Sequence, residues 1–206
     1  STGHSGHLVV DLGAGQTVLS LLAMGRVIAS RVLAESGRST DAAIACWIQR
    51  EHALLIGRRT AQRLKHDLGS LSGNREPLVG EARGRCLRTG IPRSITLTSD
   101  DLKPLLVEHA TAITLAVREL LDAAPPELAA DVVDTGLVLV GGGAHTRGLP
   151  HILAHMTGLA SVCATDPELA TIRGAGSFLD APPHATHPAL ESFVAGSLQP
   201  PSRFNG

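Results

Sequence analysis

Three short stretches hold residue types that could grip a charged ligand. Asp11-Leu12-Gly13-Ala14-Gly15 joins one apolar, β-rich run to another. In such a bend, small residues let backbone N–H groups approach an anion closely, and an aspartate at the strand end can hold a hydrated divalent cation. A dinucleotide fingerprint sets its glycines between a strand and a helix, so this bend is not one. Gly141-Gly142-Gly143-Ala144 follows the apolar run 136–140 and precedes a helical stretch. It can lay bare backbone against a flat ligand beside a helix N-terminus. Between the two, Gln62-Arg63-Leu64-Lys65 places Gln62 and Lys65 at i and i+3, one polar edge of a helix able to reach across a cleft.

Other reactive side chains lead nowhere. His151 and His155 stand at i and i+4, but no Glu follows His151, so the metalloprotease pattern is absent. No Gly-x-Ser-x-Gly occurs, which removes the serine-hydrolase reading. Cys46, Cys86 and Cys163 are odd in number and widely spaced, fitting neither a disulfide framework nor a closed zinc site. Cys46 and Cys163 fall at apolar positions, where the expectation is core filling, and Trp47 is expected to anchor the core of its helix.

Composition narrows the class further. The 206 residues are 43% apolar, enough for a real core. Eighteen basic against 19 acidic residues give a net charge of −1, with no polyanion-binding footprint. Aromatic residues are only 2%, too few to stack single-stranded bases, so no nucleic-acid partner is expected. No apolar run reaches the length of a transmembrane segment. The chain opens on Ser1, which fits a processed chain or an excerpt of a longer one.

The elements that must position these residues follow from periodicity. Strands at 8–11, 17–24 and 27–34 read as an antiparallel meander. Apolar spacing then predicts helices over 41–55 and 60–68, and two strands over 78–87 and 94–98 joined across Gly90-Ile91-Pro92. Ser99 is read as the N-cap of a long helix to about residue 121, with Asp100 and Asp101 in its first turn. A short helix from Glu127, a buried strand 136–140, a helix 148–156, a strand 160–164 and a helix 167–179 follow. The tail 181–206 holds five prolines and is expected to stay disordered. The order is that of an α/β fold: a mixed sheet built from a three-stranded meander plus βα units, with a helix-and-hairpin subdomain inserted after the first helix.

At this point the chain resembles a known family, the MreB group of bacterial actin homologues, over residues 8–179 and specifically over the family's C-terminal half. The likeness is carried by Val9-Val10-Asp11-Leu12-Gly13-Ala14-Gly15, by Ile56-Gly57-Arg58-Arg59-Thr60-Ala61-Gln62-Arg63-Leu64-Lys65-His66 and by Pro126-Glu127-Leu128-Ala129. Val140-Gly141-Gly142-Gly143-Ala144, Arg147-Gly148-Leu149, Asp166-Pro167 and Arg173-Gly174 complete it. The resemblance implies half of an actin-like ATPase (ribonuclease H-like) fold, with 1–37 and 98–180 forming the sheet-based subdomain and 38–97 a smaller inserted one. It implies an ATP-binding filament subunit in cell-shape determination, cytoplasmic, polymerising with itself and meeting membrane-anchored cell-elongation proteins. The alternative is a divergent, non-hydrolysing module that binds filaments or elongation partners.

Residue by residue, the resemblance puts Gly13, Ala14 and Gly15 at the terminal phosphates with Gln16 beside them, and Asp11 near Mg2+. Gln62, Arg63 and Lys65 would serve the ribose and adenine side, with Gly141, Gly142, Gly143 and Ala144 under the adenosine. Departures are Gln16 for Thr, Val18 for an acid, Gln62 for Glu, and Ser36 and Arg38 for Gly and Asp. The first phosphate motif and the water-orienting acid belong to the family's other half, so the isolated chain is expected neither to bind ATP usefully nor to hydrolyse it.

Overall fold

The computed structural model describes residues 6–73 and 76–180. The proline-rich tail read as disordered lies outside the described residues. Strands β1 (His7–Leu12), β2 (Thr17–Ala23) and β3 (Arg26–Leu33) form the antiparallel meander. They join β7 (Leu137–Val140) and β8 (Ser161–Cys163) in a five-stranded sheet of order β3-β2-β1-β7-β8, with β1, β7 and β8 parallel. Alternation on β1 sends Leu8, Val10 and Leu12 to one face, where the 24-residue helix α3 (Ser99–Asp122) covers them. Asp11 points to the other face, level with Val18 on β2 and Val140 on β7. All four residues of β7 are buried, as a strand covered on both faces requires.

A second core lies in the stretch between β3 and α3. Helices α1 (Gly37–His52) and α2 (Arg58–Leu68) pack Ile44, Ile48, Leu64 and Leu68 against the sheet β4-β5-β6, made of Leu54–Leu55, Val79–Cys86 and Pro92–Thr98. Helices α4 (Pro126–Thr135), α5 (Leu149–Thr157) and α6 (Ala170–Asp180) complete the chain, with short 3-10 turns at Gly142–His145 and Pro167–Leu169.

Several local expectations need correction. Helix α1 starts at Gly37 rather than 41, because Ser36 and Ser39 cap it reciprocally: the Ser36 N–H donates to Ser39 Oγ at 2.7 Å, and the Ser39 N–H returns the bond at 3.3 Å. It ends at His52, and the left-handed Ala53 (φ 48°) turns the chain into β4. Thr98, not Ser99, is the N-cap of α3; Asp101 accepts the Thr98 N–H at 2.7 Å, while Ser99 Oγ accepts from the Leu78 N–H. Cys46 and Cys163 are exposed, and the buried cysteine is Cys86. Cys46 lies off the Thr40, Asp41, Ile44, Ile48 face of α1, and Cys163 ends an edge strand. Trp47 is half-buried at the margin of the second core, edge-on to His52.

Candidate functional site

The bend after β1 is held in shape by its own backbone and by α1. The Gly13 N–H donates to the Gln16 carbonyl at 3.1 Å. The first two amides of α1 then clasp the bend: Gly37 N–H donates to Gly13 O at 3.1 Å, and Arg38 N–H to Ala14 O at 2.9 Å. The amides of Ala14 and Gly15, both exposed residues, find no acceptor among the described residues.

Gly141 forms the second bend. Its φ of 81° with ψ of 164° is a conformation reserved in practice for glycine. A Cβ there would lie 2.5 Å from Asp11 Oδ1 and 2.7 Å from Leu12 O, so the absence of a side chain is what lets β7 run on into the cleft beside β1. Gly142 has open space around it, and Gly143 packs closely on Leu12.

The two bends, 128 positions apart in sequence if counted from Gly13 to Gly141, flank one cleft of about 540 Å³. Gly13, Ala14, Gln62, Lys65, Gly142 and Gly143 line it, together with Gly37, Arg38, Asp41, Arg58 and Arg147. That size is ordinary for a small-molecule site. A smaller cavity of about 30 Å³ lies alongside, lined in part by Gly13, Lys65, His109 and Thr17, whose fully buried hydroxyl has no hydrogen-bond partner among the described residues.

Six residues singled out in the sequence do not line the cleft. Asp11 sits behind Gly141, its Oδ2 accepting from Thr171 Oγ1 at 3.1 Å. Gly15 and Gln16 form the exposed tip of the first bend, and Gly141 and Ala144 are buried beneath the second. Arg63 turns away, bridging to Asp67 and donating to Glu81 O at 2.8 Å.

Lys65 reaches the cleft with its charge already compensated. Its Nζ donates to Gly37 O at 2.6 Å and stands 2.7 Å from Asp41 Oδ1, without hydrogen-bond alignment, so the second contact is Coulombic. Arg147 is also committed: Nη1 donates to the carbonyls of His66 and Asp67 at 3.2 Å and of Gly69 at 3.4 Å, capping the C-terminal end of α2. His145 Nε2 lies 2.5 Å from Glu168, and that contact holds the Glu168 carboxyl below its usual range. Arg38 and Arg58 have no acidic partner among the described residues. Sequence reasoning quoted Arg147 without giving it a place in the cleft and did not foresee the Asp41 contact of Lys65, because neither is visible in local spacing.

Chemically, the cleft offers unpaired amides, two uncompensated guanidinium groups and bare glycine backbone, which suits a phosphorylated ligand with a flat group. Among the described residues no cluster of three or more His, Cys, Asp or Glu could chelate a metal. Mg2+ needs no such cage when phosphates supply most of its ligands, and one carboxylate such as Asp11 fits that donor set.

The family model described as MreB/Mbl protein matches residues 2–186. The cell shape-determining protein MreB of Escherichia coli (strain K12) is 39% identical over 176 residues, covering 85% of this chain and 51% of that protein. The cell shape-determining protein Mbl of Bacillus subtilis (strain 168) is 35% identical over 85% of this chain and 53% of its own length. The chain therefore spans about half the length of the curated relatives it matches. Among solved structures, MreB5 of Spiroplasma citri bound to ADP superposes with a TM-score of 0.83 at 31% identity, over 85% of this chain and 54% of that one. The MamK double helical filament, at 22% identity and a TM-score of 0.69, shares the fold. The architecture is that of the actin-like ATPases.

Proposed function

From the premise that this chain belongs to the MreB/Mbl family, we propose that it supplies the C-terminal half of the nucleotide cleft of an actin-like filament subunit that works in cell-shape determination. The observation that carries this reading is the meeting of the Gly13-Ala14 bend and the Gly142-Gly143 bend across one cleft. There, the amide of Ala14, with that of Gly15 at the exposed tip of the bend, would receive the terminal phosphates of ATP, Gln62 would face the ribose, and Gly142 would give the adenosine a flat floor. Asp11, set back behind the second bend, would hold Mg2+ only through that ion's water shell, and the ion would neutralise phosphate charge. The two separate cores support reading 38–97 as a subdomain inserted into 1–37 and 98–180.

Magnitudes set what the chain can do alone. If a complementary half contributes three charge-assisted hydrogen bonds at roughly 1.5 to 3 kcal/mol each, its absence costs about 4 to 9 kcal/mol. That is about three to six decades of affinity, which turns a micromolar site into a millimolar or weaker one. The chain alone is therefore a weak binder and no ATPase, and nucleotide closure of two halves is what couples binding to polymer contacts.

Pelleting of the whole gene product with and without ATP tests the reading. Nucleotide-dependent sedimentation supports it, and equal sedimentation counts against it. Micromolar ATP binding by this chain alone, measured by calorimetry, would overturn the half-cleft account. Gln16, Val18 and Gln62 lack the hydroxyl and carboxylates of the family pattern, and they favour a second reading as a non-hydrolysing module that binds filaments or membrane-anchored elongation partners. ATP binding without turnover in the whole protein would select it.

A further inference from the structure

Two cations in the cleft obey no local rule. Helix α1 carries Arg38 as its second residue and helix α2 opens on Arg58, and neither helix has an acidic residue in its first turn. The positive end of a helix dipole disfavours a cation, so each arginine sits where its own helix repels it. Both line the same cleft and neither has an acidic partner among the described residues. Lys65 and Arg147, by contrast, are engaged by Asp41 and by the α2 carbonyls. Both side chains are exposed, so water screens that repulsion, and a ligand carrying negative charge would remove it.

Arg38 is the better placed of the two. Its backbone N–H is bonded to Ala14 O, which fixes its Cα against the glycine bend. Its guanidinium Nη1 lies 3.9 Å from where a Gly15 Cβ would be, on the residue whose amide lacks an acceptor. Planar N–H forks of this kind bind phosphate oxygens in pairs. We propose that Arg38 is the specificity-determining contact of the cleft, gripping the outermost phosphate together with the amides of the bend, so that a triphosphate is held in preference to a diphosphate. This rests on the nucleotide reading above and assigns within it a residue that lies outside the glycine bends.

The test is a calorimetric titration of the whole gene product with ATP, ADP and adenosine. The unmodified protein is expected to bind ATP more tightly than ADP. Arg38→Ala should weaken ATP by about tenfold or more, bring the ATP and ADP affinities together and leave adenosine unchanged. Arg38→Lys should recover only part of the preference. Arg58→Ala removes the same charge from the same cleft away from the bend and should weaken both nucleotides alike. Because the Arg38 side chain is exposed and holds up no other group, its loss leaves the fold intact. An unchanged ATP-to-ADP ratio in Arg38→Ala, with adenosine still bound, overturns the assignment to Arg38 alone. Failure of the unmodified whole gene product to bind any of the three overturns the nucleotide reading and this assignment together.

Discussion

Lys65 and Asp41 join helices α2 and α1 through an ion pair that is mostly out of water. The Nζ stands 2.7 Å from Oδ1, with side-chain exposures of 17% and 6%. Removing one partner of such a pair strands the other charge, at a cost of about 3 kcal/mol or more. Lys65→Met should therefore destabilise the chain strongly in urea melts. The double variant Lys65→Met with Asp41→Leu should recover over half of that loss, since it buries no unpaired charge. Equal losses in the single and double variants would show that the pair contributes nothing specific.

Neighbouring glycines of the second bend should respond in opposite ways. Gly141→Ala forces a Cβ against Asp11 and Leu12 at a backbone angle reserved for glycine, so a loss of about 3 kcal/mol is expected. Gly142→Ala meets nothing within 4 Å and should change stability by no more than about 0.5 kcal/mol. Its methyl group projects where the adenosine is proposed to lie, so adenosine binding should fall while the melting temperature holds. A melting temperature that drops equally in both variants would contradict the geometry.

His109 should make stability sensitive to mild acid. Burial lowers its pKa, Lys65 adds to that effect, and Glu35 opposes it. A histidine whose pKa is lower in the fold than in the unfolded chain binds its proton preferentially when unfolded. Stability is thus intact at neutral pH, starts to fall as pH drops through the ordinary value of 6.5, and levels off below the folded value. His7, lowered by burial and opposed by Asp131, acts with the same sign. Urea midpoints between about pH 7.5 and about pH 5.5 should decline, and His109→Gln should flatten part of that slope. An unaltered slope would remove His109 from the account.

Arg147 ties the end of α2 to the segment that opens α5. Besides its three carbonyl contacts, its own carbonyl accepts the Leu71 N–H at 2.7 Å. Arg147→Ala should cost about 1 to 2 kcal/mol. It should also speed hydrogen exchange at residues 67–71 well before the sheet amides respond. Uniform acceleration across the chain would mean that the contact is not a local tether.

Much of this was legible in the residues themselves. Alternation over 8–34 fixed the meander, and the glycine bends announced themselves because only small residues allow such close backbone approach. The Ser36–Ser39 cap was hidden because serine replaces the glutamate by which capping boxes are recognised. Strand β4, two residues long, is too short to carry a period. The commitment of Lys65 to Asp41 and of Arg147 to α2 depends on tertiary approach, which spacing along one helix cannot reveal. Cys46 and Cys163 are apolar by type yet exposed, since helix phase and sheet edge outrank residue chemistry.

The clasp of Gly37 and Arg38 on the carbonyls of Gly13 and Ala14 makes the bend and the head of α1 a single mechanical part. The helix behind it is 16 residues long, a rod of about 24 Å. A ligand that displaced the bend would have to break the clasp or tilt that rod, and a tilt would be largest at the far tip, beside β4.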